Sequence, residues 1–256
     1  MQKLETTIEK YESNLILKQA ITEMEIEAAL KLRFEVFNLE LSEGLQSSYQ
    51  TGLDMDEYDD YCDHIIVMDT TKDVVVGTYR LLPGYRAENG IGYYSESEFE
   101  MFNLKRLSGN KLELGRACVH RDYRGSAVLN LMWAGIAQYI ENYDINYLFG
   151  CGSIHTINSN IVSSIYTYLK KNYMAEERFK VYPIKGVPGF NPNAEPNKDI
   201  LSKHIPSLLF AYLRLGAKVA GEPAYDEQFG VADFLILLDR GKILDRYKRH
   251  YLSCAV

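Results

Sequence analysis

The sequence predicts an α/β fold: one mixed, mostly antiparallel sheet flanked by helices. Three observations point there. First, β-patterned runs alternate with amphipathic helical stretches in the order β, α, β, β, α, β, α, β, α, β, β, for which a sheet covered by helices is the natural solution. Second, His64–Asp69 (HIIVMD) and Val74–Leu82 (VVVGTYRLL) flank a turn at 70–73 and read as a hairpin, so part of the sheet is antiparallel. Third, Lys111–Leu131 (KLELGRACVHRDYRGSAVLNL) reads as strand, short basic glycine loop and helix. That order aims free backbone N–H groups and the positive helix end at an anion in the loop. The strand also carries a carboxylate, Glu113, and a cation, Arg116, which together suggest group transfer from an activated carrier.

The 256 residues show no internal repeat and no linker, so 1–256 reads as one domain with room for a sizeable core. Its margins are a polar lead (1–13) and a basic amphipathic tail (239–256), and a long Pro/Asn/Gly-rich loop covers 182–206. A net charge of −7 argues against general nucleic-acid binding, which needs a basic face. Cys62, Cys118, Cys151 and Cys254 form no CxxC pair and no zinc spacing, so free thiols and no metal are expected. With neither a signal peptide nor a long apolar run in the sequence, a cytoplasmic protein is expected. The tail leaves open a peripheral contact with the inner membrane surface.

Leu15–Ile21 reads as the first strand. TEMEIEAALKLRFEVFNLEL follows as a helix with Thr22 as N-cap and an apolar face of Ile26, Leu30, Phe34, Phe37 and Leu41. Arg33 falls inside that stripe, where a cation costs several kcal/mol unless it is paired or snorkels to the edge. The next stretch, GLDMDEYDDYCDH, offers Asp54, Asp56, Glu57, Asp59, Asp60 and Asp63. Such a run is a solvated loop, a partner for Arg33, or a seat for a cationic amine. A calcium loop is excluded, because its required Gly and Glu positions hold Asp59 and Ile65. Arg80 interrupts the second hairpin strand and reads either as an edge charge or as a second buried cation.

Pro83, Gly84 and GIGYYSES mark a loop, after which Phe99, Met101, Phe102 and Leu104 form a short helix capped by Ser95 or Ser97. The helix after the central strand presents Leu129, Met132, Trp133, Ile136 and Ile140. Then come a strand at Tyr147–Ile154, helices at Asn158–Tyr173 and Pro206–Leu215 (closed by Gly216), and strands at Lys218–Pro223 and Asp233–Leu238. Cys118 and His120 suggest a nucleophilic pair, but a cysteine inside an apolar strand is ordinarily inert packing.

LRFEVF, DMDEYDDYCDHIIVMD, VVGTYRLL, YYSESEF, LELGRACVHRDYR and IPSLLFAYLRLGAKVAGEPAYDEQFGVADFLILLD together resemble the GNAT superfamily of N-acyltransferases over roughly residues 15–250. Within it the chain is similar to the acyl-carrier-protein-dependent branch: acyl-homoserine-lactone synthases, N-acyl amino acid synthases and, through the last motif, ornithine Nα-acyltransferases. The resemblance implies a GNAT-like fold and transfer of a long-chain, 3-hydroxy fatty acyl group to the α-amine of an amino acid, ornithine first. Another amine such as glycine or lysine, a homoserine-lactone-type signal, and a non-catalytic acyl-binding module are the alternatives. It also implies that Arg33 and Phe37 border the acceptor pocket, that Asp56 and Asp59 are acceptor-side carboxylates braced by Arg80, and that Arg116 orients substrate.

Glu113 is then the proton acceptor, and the backbone at Ala117, Cys118 and Val119 polarises the thioester carbonyl. Arg121, Arg124, Gly125, Ser126 and Ala127 are donor contacts. Acetyl-CoA-using members carry two glycines where this chain has Ala127 and Leu129, and Cβ atoms there impair wrapping of a CoA pyrophosphate. That departure favours acyl carrier protein over acyl-CoA, with no bound cofactor. Strict alternation puts Glu113 and Arg116 on opposite faces, so a β-bulge near Gly115 is expected in the central strand.

Overall fold

The computed structural model describes residues 5–6 and 14–242. In chain order the strands are β1 (Glu5–Thr6), β2 (Leu15–Gln19), β3 (Asp63–Asp69), β4 (Val74–Pro83), β5 (Phe99–Glu100), β6 (Asn110–Val119), β7 (Ile145–Ile154), β8 (Tyr182–Pro183), β9 (Lys218–Val219), β10 (Ala224–Asp226) and β11 (Val231–Asp239). The helices are α1 (Glu23–Arg33), α2 (Ser48–Thr51), α3 (Gly84–Ala87), α4 (Phe102–Lys105), α5 (Ser126–Asn142), α6 (Ser159–Tyr173), α7 (Lys198–His204) and α8 (Ser207–Leu215). The described residues gather into two compact units, one holding 5–6, 14–91 and 114–145, the other 92–113 and 146–242. Each unit draws on separated stretches of chain, which is why no linker marks a boundary in the sequence.

In the first unit the strand order is β1-β2-β3-β4-β6. The expected hairpin is present: β3 and β4 pair antiparallel, with His64 opposite Arg80. Asp73 takes a left-handed φ of 54° in its turn. Ile65, Ile66, Val67 and Leu81 are fully buried, as an apolar strand covered on both faces requires. Helix α5 lies close over β2 and β3 at Gly135, where a Cβ would sit 3.0 Å from Leu17 and 3.1 Å from Ile65. Its burial runs nearly all round, from Val128, Leu131 and Met132 to Tyr139 and Ile140, wider than the single stripe the spacing predicts.

Thr22 caps α1 in a complete capping box with Glu25. Beyond Arg33 the helix widens into a π-helical stretch over Phe34–Glu40, with Leu41 N donating to Val36 O at 3.0 Å. The wider turn rotates later residues off the 3.6 period. Ala29, Leu30, Leu32, Arg33 and Val36 are buried, with Ile26 and Phe37 of the expected face packed against that core, while Leu41, expected on the same face and lying beyond the wider turn, is exposed.

In the second unit β7-β11-β10 form an antiparallel ladder, with β9 also on β11. Gly152 permits the close approach expected of it, since a Cβ there would meet Ile236 at 2.9 Å and Leu209 of α8 at 3.4 Å. Gly216 ends α8 at φ 111°. Three expectations are corrected here. Ser95 and Ser97 cap nothing: α4 begins after Met101, and Ser97 Oγ instead donates to Tyr94 O. The stretch 182–206 is not all loop, because Asn197 caps α7 through the amides of Asp199 and Ile200. The final pair of strands is a set of three, with β10 between β9 and β11 in sequence. Of the lead, residues 5–6 pair with β2; of the tail, Asp239 ends β11 and 240–242 form a 3₁₀ turn. The remainder of both margins, Cys254 included, lies outside the described residues.

Candidate active site

The expected acceptor-side residues of the first unit form one buried ion network. Arg33, with no exposed surface, forks onto two carboxylates. Its Nε donates to Asp54 Oδ1 at 2.8 Å, and its Nη1 and Nη2 donate to the two oxygens of Asp59 at 2.6 and 3.1 Å. Burial of Asp59 alone would raise its pKa; the Arg33 and Arg80 guanidiniums overcome that and hold its carboxyl well below the usual range. Arg80 donates to Asp56 Oδ1 at 2.6 Å and lies over the Tyr58 ring. Arg33 does not snorkel, and Arg80 is no edge charge, because β4 sits between β3 and β6. The amide of Asp56 donates to Asp59 Oδ2, and that of Tyr58 to Asp56 Oδ1, so the acidic run is folded around its own carboxylates.

Strand β6 breaks its regular backbone where the expected bulge lies: Arg116 adopts φ 49°, the left-handed region, next to Gly115. A Cβ on Gly115 would lie 3.8 Å from Arg80 Nε. Arg116 itself reaches Asp54 at 3.4 Å and lies over the Phe37 ring at 5.3 Å. Phe37 is half-buried on the π-helical stretch, a local irregularity often found at working sites.

Two residues of this network escaped the sequence reading. Asp54, completely buried, was one acid among six. His64 was visible only as the start of a strand. It is buried with neither ring nitrogen hydrogen-bonded among the described residues, 3.8 Å from Asp59. Burial, joined by the two arginines, pushes its pKa down to about 4, so it stays neutral. No spacing rule marks such a residue.

The expected donor segment follows β6. Ala117 and Val119 are half-buried, and Cys118 is buried, its thiol pushed up to about 12 by burial. That removes the Cys–His nucleophile, and the His120 Nδ1 instead accepts from the amide of Asp122. Arg121 is exposed. Arg124 is engaged, forking onto Glu40 at 2.5 and 2.8 Å. Gly125 precedes α5 in extended backbone; no side chain caps the helix, and a Cβ at Gly125 would meet nothing within 4 Å. Ser126 opens the helix, and Ala127 is half-buried in its first turn.

Glu113 belongs to the second unit and is buried. Its Oε2 accepts from the amide of Tyr94 at 2.7 Å; its Oε1 accepts from the amide of Ser95 at 2.7 Å and from Ser95 Oγ at 2.5 Å. The YYSES stretch read as loop is thus a 3₁₀ turn wrapped on a carboxylate. Both oxygens of the carboxyl group therefore serve as acceptors in this turn. Among the described residues no helix is long and apolar enough to cross a membrane.

Residues 32–134 match the acetyltransferase (GNAT) domain family. The chain is 33 % identical over 251 residues to the L-ornithine Nα-acyltransferase of Brucella abortus (strain 2308), covering 93 % of this chain and 89 % of that protein. It is 34 % identical over 253 residues to the protein of the same name from Rhizobium meliloti (strain 1021), covering 93 % and 84 %. Among solved structures, FeeM, an N-acyl amino acid synthase from uncultured soil microbes, superposes with a TM-score of 0.52 at 11 % identity, covering 91 % of this chain and 97 % of that one. That likeness is one of fold.

Proposed function

The chain belongs to the L-ornithine Nα-acyltransferase family of GNAT acyltransferases, and on that premise we propose that it moves a long-chain 3-hydroxyacyl group from acyl carrier protein to the α-amine of ornithine. The observation that carries this reading is the identity along nearly the whole chain to proteins of that name. In the proposed reaction the α-ammonium loses a proton to Glu113, directly or through water. The neutral nitrogen then attacks the thioester carbonyl, whose developing oxyanion the backbone N–H groups near Ala117, Cys118 and Val119 stabilise. The new C–N bond forms, the C–S bond breaks, and the pantetheine thiol leaves.

The buried carboxylates of the first unit have a narrower part than direct capture of the amine. Asp56 and Asp59 are committed to Arg80 and Arg33, so they brace the wall that carries Phe37 and Arg116. The uncapped start of α5 suits the single phosphate of a pantetheine arm. Arg121, exposed beside that start, is the better carrier-protein contact, since Arg124 must leave Glu40 to serve.

The test supplies 3-hydroxyacyl carrier protein and acyl-CoA with a panel of amino acids and follows free thiol and product mass. Transfer to ornithine from the carrier protein, outrunning glycine, lysine and homoserine-type acceptors, is expected; equal use of CoA or release of a lactone overturns the assignment. A second expectation concerns salt. Arg121→Ala with Arg124→Ala should raise the Michaelis constant for the carrier protein at low ionic strength, and the difference should shrink as salt screens it. An unchanged constant across salt removes both residues from the donor contact.

A further inference from the structure

One face of the second unit's ladder collects carboxylates that the chemistry above leaves unused. Side chains two apart on a strand share a face, and directly paired residues share it across strands. On β11 Asp233 stands opposite Ser153 of β7 and Ala224 of β10, and Leu235 opposite Cys151. Asp226, two on from Ala224, therefore shares the face of Asp233. Glu98, on the segment that follows Ser95, feels the charges of both aspartates, and its carbonyl accepts from the amide of Ile184.

Asp233 and Asp226 are 2 % and 3 % exposed, whereas Glu98 is half-buried and gives the group an approach from solvent. Asp233 takes a hydrogen bond from Ser153, but its Oδ1 is buried with no hydrogen-bond partner among the described residues. Among the described residues no lysine or arginine is a cause of the shift at Glu98 or Asp233; burial and the neighbouring carboxylates push the first up to about 7 and the second up to about 6. Buried acids that repel one another are costly to keep charged, and either a proton or a cation relieves that cost. Nor are they spaced as metal ligands: among the described residues no group of three or more His, Cys, Asp or Glu is arranged to hold a metal ion.

The face also leads to Glu113. Ser95 Oγ, which bonds Glu113, lies 3.5 Å from Cys151 Sγ. That sulfur feels the charges of Asp233, Glu113 and Glu98 together.

We propose that Asp233, with Asp226 and Glu98, is a subsite for a primary ammonium group at the end of a short aliphatic chain. Resting on the acyl-transfer reading above, it is the seat of the acceptor's δ-ammonium while Glu113 serves the α-nitrogen. The subsite then sets specificity: an acceptor without the distal cation leaves Asp233 buried and uncompensated.

The test compares L-ornithine with L-norvaline, the same carbon chain without the δ-amino group, in calorimetric binding and in relative kcat/KM. The wild-type chain should prefer ornithine by at least about ten-fold, the scale of one buried ion pair. Asp233→Asn should abolish that preference, read as the ratio of the two ligands' kcat/KM and of their binding constants within the one variant. Glu98→Gln, at a half-buried site where folding is not at stake, should reduce the preference in part. Equal treatment of the two ligands by wild type, or a preference that survives both variants, overturns the subsite even if acyl transfer to ornithine is found. Ornithine bound through Asp233 with no transfer from any thioester would leave the subsite standing and remove the acyl-transfer reading instead.

Discussion

Replacing Glu113 with Gln is expected to lower the rate of acyl transfer by about 10²–10⁴-fold, the usual contribution of a positioned proton acceptor. The surroundings make the substitution more than a change of charge. Donors occupy both oxygens, the amides of Tyr94 and Ser95 and the Ser95 hydroxyl. Whichever way the Gln amide turns, its NH₂ meets an N–H, and an unsatisfied buried donor costs about 1–3 kcal/mol. A lowered melting temperature is therefore expected alongside the lost rate, and it would follow from a purely structural Glu113 as well. The pH profile separates the two roles. If Glu113 takes the amine's proton, the deficit of Glu113→Gln shrinks as the pH climbs toward the acceptor's own α-ammonium pKa, which lies above the roughly 8 of a peptide terminus because its carboxylate is ionised. A strut that merely shapes the turn at Tyr94 and Ser95 gives a deficit that stays level across pH. A level deficit, or near wild-type turnover at neutral pH, would end the proton-acceptor assignment.

What was legible in the sequence follows from how local each cause is. The hairpin, the Thr22 N-cap and the Gly216 stop depend on residues a few positions apart, and each is where pattern places it. The arginine network was half legible. A cation on an apolar stripe demands a partner, and the acidic run was the obvious supply, but which acids answer depends on how 54–59 fold back on their own amides. The three-residue spacing of Glu113 and Arg116 calls for an irregularity near Gly115, and the left-handed φ of Arg116 lies beside that glycine. The π-helical stretch was not, because the apolar spacing of Phe34 and Phe37 fits a 3.6 period equally well. The acid group around Asp233 was invisible for another reason. Glu98, Asp226 and Asp233 lie on three separate segments, and only the register of β10 and β7 on β11 shows that two of the acids share a face.

The largest effect on stability is expected at Arg33. Arg33→Met fits the volume and suits the neighbouring Ala29, Leu32 and Val36, but it strands Asp54 and Asp59 in the interior. Breaking a buried pair from one side costs about 3–5 kcal/mol, mostly the penalty of the charge left behind. Chemical unfolding should show that loss, and the double variant Arg33→Met, Asp59→Asn should regain much of it, because Arg80 with Asp56 and Arg116 with Asp54 then remain as matched pairs. Lys in place of Arg33 should fall between, since one ammonium cannot fork onto two carboxylates. Acid resistance carries the same signature. The folded pKa of Asp59 is depressed, so its contribution to stability is present above the ordinary carboxylate pKa and is lost as the pH falls below it. In Arg33→Met that acid limb should flatten, because the guanidinium that depressed the pKa is gone. His64 gives a limb at higher pH: with its pKa pushed down to about 4, stability is full above about 6.5 and declines from there toward 4. His64→Gln should remove that decline alone. If Arg33→Met costs less than about 1 kcal/mol, the carboxylates must be reaching water or protons in the folded state, and the wall carrying Phe37 and Arg116 is not held by this network.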